Sequence, residues 1–219
     1  MTDGTSALVK IAVFYDGSYF QQVTNHYRYT HDIRRRIDLG GLHDFIRWRV
    51  AKLEDYPKSM CRIVEAHYYR GRFTLADIDE KANRDGNPGF VEEFLRGERV
   101  FDQLMAQHHI TPHYLRVDTS RDYPRERGVE VALALDAYDL AVTRRLDWVA
   151  LMTPDADYVP LVRRLALVGT RVLLLAFEFP GKTVVSKALI AEATDVVPMH
   201  QVAEQGMPGF DPQTLFVAD

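Results

Sequence analysis

Apolar residues fall along this chain in two alternating patterns. Residues 9–15 (VKIAVFY) are a short, nearly continuous apolar run that breaks off at Asp16-Gly17. That is the pattern of a strand buried on both faces that runs into a loop. Residues 41–52 change to helical spacing, with Leu42, Phe45, Ile46 and Val50 on one side. Residues 61–69 are rich in Ile, Val and Tyr and predict a second strand. A long amphipathic helix is predicted over 90–107, with Phe94, Leu95, Phe101, Leu104 and Met105 facing inward, followed by a short strand at 114–117.

The alternation continues with a helix at 129–146, a strand at 148–153 and a helix at 158–168 stopped by Gly169. A strand at 171–177, a helix at 183–193 and a last short strand at 196–197 complete it. Such alternation implies right-handed crossovers and an α/β fold, a Rossmann-like parallel sheet with helices on both faces. The expected division is an extension at 1–8, one domain over 9–199 and a tail at 200–219, extended or loosely attached from Glu204. Two polar segments do not fit the scaffold, 70–89 and 119–127; long loops at strand ends are usually functional or mobile, and either is a candidate for substrate contact.

In open α/β sheets the ligand lies outside the carboxyl ends of the strands. Asp16 ends the first strand, and Asp155 and Asp157 follow the strand at 148–153. Carboxylates gathered there repel one another without a cation, and oxygen-only donors suit Mg²⁺ or Mn²⁺. Glu130 opens the helix preceding that strand; Asp136, six residues on, is turned about 240° away around the axis. Each acid alone also reads as a helix cap or turn former. No zinc-type HExxH or Cys-pair spacing occurs. GxGxxG is absent, and Ala176 stands where a phosphate-binding loop ending in Pro180-Gly181-Lys182-Thr183 needs its first glycine.

Bulk composition narrows the setting. The 219 residues are 47% hydrophobic and 26% charged, with a formal net charge of −4 and an isoelectric point near 6.1. That argues against coating nucleic acid by bulk charge but not against an acidic centre inside a basic rim. A single cysteine, Cys61, excludes an internal disulfide. With no signal-like segment and no long apolar run, a cytoplasmic protein without membrane contact is expected.

Three blocks, VFYDGSYF, RGVEVALALDAYDLA and WVALMTPDADYVPLVRRLALVGTRVLLLAF, together resemble the NYN domain in its LabA-like branch, within the PIN-like nuclease superfamily. The resemblance spans roughly residues 9–198. It implies metal-dependent cleavage of phosphodiesters, most often in RNA. Asp16, Glu130, Asp155 and Asp157 would be the metal-holding and catalytic carboxylates, with Asp136 matching a later helical Asp. Departures from the family pattern are Tyr19 for Asn, Arg127 for Lys, Glu130 for Asp and Thr153-Pro154 for Ser-Gly. Expected substrate contacts are Ser18, Tyr19, Arg121, Arg125 and Arg127, with Arg34, Arg35, Arg36, Phe20 and Tyr123 as further rim candidates. Two rival readings stay open: a binding module for RNA, nucleotide or protein that has lost cleavage, and a small-molecule hydrolase closed by 70–89. A homo-oligomer is also open.

Overall fold

In the computed structural model, residues 8–87, 89–119, 124–179, 181 and 183–218 are described. The first strand, β1 (Val9–Asp16), runs directly into α1 (Gly17–Asn25), and α2 (Leu39–Glu54) leads to β2 (Cys61–Arg72). Then come α3 (Leu75–Arg84), α4 (Phe90–Gln107), β3 (Thr111–Asp118) and the two-residue β4 (Arg125–Glu126). The second half is α5 (Val129–Arg144), β5 (Trp148–Met152), α6 (Val159–Leu167), β6 (Arg171–Ala176), α7 (Lys187–Glu192), β7 (Asp195–Pro198) and α8 (Met199–Gln205).

The strands form one sheet in the order β4-β3-β2-β1-β5-β6-β7, parallel except for β4, which pairs antiparallel with the end of β3. The α/β class expected from the alternation is found. β1 sits at the centre, and the chain winds outward from it first through β2 and then, after crossing back, through β5. The order therefore reverses between β1 and β5, the kind of place at which open α/β sheets bind ligands.

Burial on both faces explains the unbroken apolar reading of β1. Ile11, Val13 and Tyr15 enter the core shared with α1, α2 and α8. Ala12 and Phe14 enter the opposite core under α5 and α6. All five are fully buried, and each large side chain among them contributes about 1.5–3 kcal/mol. Among the described residues, no helix is long and apolar enough to cross a membrane.

Besides α1, which stands where the sequence reading has a loop after Asp16-Gly17, three segments differ from the sequence reading. Residues 75–84, expected as loop, are α3. Thr74 and Asp77 form a reciprocal capping box, while Ile78 and Ala82 are buried. Four charged residues among the first seven of this helix (LADIDEK) hid its short apolar stripe. Residues 125–126 pair as β4 instead of looping free.

The third segment is the tail, which is packed rather than loose. Leu215 and Phe216 are buried, Asp38 N donates to Leu215 O (2.8 Å), and Val217 N donates to Arg36 O (2.9 Å). Arg34 and Arg35, expected at a basic rim, donate to the carbonyls of Tyr29 and Val217. Gly41 permits this docking, because a Cβ there would lie 1.6 Å from the Thr214 carbonyl oxygen. Gly41→Ala should therefore detach the tail and lower stability by roughly 2–4 kcal/mol. Chemical denaturation with limited proteolysis checks this: cleavage near residues 212–217 should quicken, and a variant as stable and resistant as wild type would contradict the packing.

Candidate functional site

The site forms where β1 and β5 release the chain. Asp16 ends β1 and caps α1, accepting from Tyr19 N at 3.2 Å. The next residue must be glycine. A Cβ on Gly17 would lie 2.5 Å from the Tyr69 carbonyl oxygen and 2.5 Å from the Tyr68 ring. Asp155 repeats the device after β5, its Oδ1 accepting from Asp157 N at 3.0 Å at the start of a short helical turn. Both acids are thus helix or turn caps as well as candidate site carboxylates. Capping engages one oxygen of each.

Thr153 joins them. Fully buried, it donates to Asp16 Oδ2 and accepts from Asp155 N, both at 3.4 Å. The buried Tyr158 hydroxyl lies beside Thr153, in the field of Asp16, Glu130 and Asp155. Burial, reinforced by those carboxylates, pushes its pKa up. Glu130, Asp155 and Asp157 are exposed.

The sequence reading missed Glu126. On β4 it accepts from Ser18 Oγ at 2.6 Å and from Gly71 N at 2.7 Å. A Cβ on Gly71 would lie 2.7 Å from Glu126 Cγ, so glycine lets β4 approach β2. Burial, then Glu126 and Glu130, raise the Asp16 pKa from 3.8 to about 6, against the lowering bonds from Tyr19 and Thr153. A fold that buries a carboxyl beside two other acids suits a site that receives positive charge.

The other expected residues distribute as follows. Ser18 serves Glu126. Tyr19 is buried, its hydroxyl donating to Phe177 O (2.8 Å) and accepting from Phe177 N (2.7 Å), which ties α1 to the end of β6. Asp136 accepts from the Tyr69 hydroxyl at 2.7 Å and stands 3.8 Å from His113. His113 in turn contacts His67 at 2.9 Å. Asp136 thus belongs to a polar network between α5 and the sheet. Arg125 is exposed, and Arg127 is held by Asp118 at 2.6 Å. Arg121 and Tyr123 lie outside the described residues.

The donor chemistry here, carboxylates and a hydroxyl without sulfur or imidazole, fits a hard divalent cation. As placed, no three His, Cys, Asp or Glu side chains among the described residues converge closely enough to hold one ion.

A sequence profile of the NYN domain matches residues 10–200. No curated protein matches the chain. Among solved structures, the crystal structure of a protein of unknown function, VPA0982, from Vibrio parahaemolyticus superposes with a TM-score of 0.54 at 19% identity. The match covers 89% of this chain and 94% of that one, and it supports the fold alone.

Asp16 makes stability depend on pH in a definite direction. Its folded pKa lies above the unfolded value, so folding takes up a proton between about 4 and about 6. The cost of charging it is absent below that window and complete above it. Asp16→Asn keeps the capping oxygen and removes the charge. In chelator at pH 7.5 the variant should be more stable than wild type, by at most about 3 kcal/mol. The gap should close as pH falls toward 4. Denaturant melts across that range test it, and equal stability at pH 7.5 would contradict the electrostatic account.

Proposed function

Because the chain belongs to the NYN domain family, which groups with the PIN-like nucleases, we propose that it is a metal-dependent phosphodiesterase acting on nucleic acid, with RNA favoured. The observation that carries this reading is the half-buried Asp16, bridged to Asp155 through Thr153 and flanked by Glu126 and Glu130, at the point where strand order reverses. The TPDADY block supports placement in the LabA-like branch.

In this reading Asp16, Glu130 and Asp155 hold one or two Mg²⁺ or Mn²⁺ ions, with Asp157 beside them. Bound there, such an ion supplies charge neutralisation at the phosphate and easier deprotonation of water. The chain's own residues do the positioning. The two caps orient Asp16 and Asp155, and Thr153 keeps them in register. Ser18 and Gly71 fix Glu126 against the site, and Tyr19 anchors α1 from the core. Arg125 and Arg127, on the segment entering α5, and Arg121 contact the phosphodiester backbone. The resemblance to PIN-like nucleases implies products with a 5′-phosphate and a 3′-hydroxyl.

The exposure of Glu130, Asp155 and Asp157 favours a polymeric substrate over an enclosed small molecule. Residues 75–84, part of the segment that the small-molecule reading needs as a cover, form α3, packed with α4; its Asp77 accepts from Thr119 at 3.1 Å.

Purified protein should cut labelled single-stranded RNA with Mn²⁺ or Mg²⁺ and not in EDTA. Asp16→Asn and Asp155→Asn should each reduce the rate on the order of a hundredfold or more, the scale of losing a group that acts on transition-state charge. Folded protein that binds Mn²⁺ yet cuts neither RNA nor DNA would replace this reading with that of a binding module.

A further inference from the structure

On the opposite face of the sheet from α5, a cleft of about 430 Å³ lies between α1, α4 and the segment leading into α2. Its size is that of a small-ligand site. Phe20, Tyr68, Phe101 and Leu104 supply apolar walls. The cleft and the carboxylate site share α1 and the end of β2, and none of that site's carboxylates lines the cleft. Phe20 lies one turn along α1 from Asp16, about 6 Å of helical rise. Tyr68 donates to the carbonyl of Gly17 at 2.9 Å.

The polar groups around the cleft divide sharply. Asp38 caps α2 through Gly41 N, Tyr68 is bonded to Gly17, and Arg70 is paired with Glu98 at 2.6 Å. Arg28 and Arg36 have no carboxylate partner among the described residues, and the lining amides Gln21, Asn25 and Gln107 make no side-chain hydrogen bond among them. With Arg70 neutralised by Glu98, two arginines face one aspartate here, in a protein whose net charge is −4.

Apolar walls suit a ring. Free amides carry both donors and acceptors for the edge of a base, and guanidinium groups without a carboxylate partner suit a phosphate, although Arg28 lies over the Tyr29 ring. We infer that this cleft binds one nucleotide unit, a nucleobase bearing a phosphate, with Arg28 and Arg36 on the phosphate and the ring among Phe20, Tyr68, Phe101 and Leu104. The ligand is either a residue of the strand being cut or a free mononucleotide. Only the first source rests on the nuclease reading.

The experiment titrates the full chain in EDTA with the four 5′-mononucleotides, a nucleoside and inorganic phosphate, followed by calorimetry. It compares wild type with Arg28→Gln/Arg36→Gln, with the cleft-filling Leu104→Trp, and with Asp155→Asn. Wild type should bind a nucleotide saturably and more tightly than nucleoside or phosphate alone. Binding should weaken about tenfold or more in both cleft variants and stay unchanged in Asp155→Asn. Displacement by a short single-stranded RNA supports the strand as source; retention supports the free nucleotide.

No saturable binding at millimolar nucleotide overturns the inference. So does phosphate binding as tightly as nucleotide, or loss in Asp155→Asn with retention in the cleft variants. Binding that persists in a protein without cleavage sinks only the nuclease reading.

Discussion

The two-sided burial of β1 is the constraint on which the rest depends. A strand packed between two cores has no freedom to shift register, since a one-residue slip would turn Tyr15 and Phe14 into each other's core. Its carboxyl end is therefore fixed in space, and Asp16 with it. Gly17 adds the second half of the constraint. With backbone and ring atoms 2.5 Å from where its Cβ would be, α1 can begin only here and only without a side chain. The site is thus set by packing before any of its own interactions is counted.

The carboxylates are built against electrostatic preference. Burial raises Asp16, and Glu126 and Glu130 raise it further. Two caps and the Thr153 bridge hold the acids together regardless, because hydrogen bonds from Tyr19 N and Asp157 N are local and come with starting a helix or turn. This is how a fold can hold repelling groups in place at modest cost. The same elements then lead to the second face, where α1 carries Phe20 into the cleft and the end of β2 carries Tyr68.

Glycine recurs for one physical reason. At Gly17, Gly41 and Gly71 another segment approaches so closely that a Cβ would fall 1.6–2.8 Å from backbone or side-chain atoms. Those segments are the end of β2, the tail and β4. All three contacts join residues more than 50 positions apart in sequence, and they bring Glu126, the packed tail and the start of α1 into place.

Much of the fold was legible in the chain's own pattern. The strands of the central sheet, helices such as α4 and α5, and the positions of Asp16, Asp155 and Asp157 at strand ends follow from apolar periodicity, which burial imposes locally. α3 was legible in principle through Thr74 and Asp77, but its stripe of two buried residues is weaker than the charge around it. Only tertiary structure decided the rest. Glu126 reaches the site through a contact with Ser18 across 108 residues. Tyr19 turns inward because Phe177, 158 residues on, offers both a donor and an acceptor. Asp136 is drawn to Tyr69 rather than to the other acids. Sequence records what a residue prefers to bury. Which partners meet at that burial is set by sheet order, which joins segments far apart in the chain.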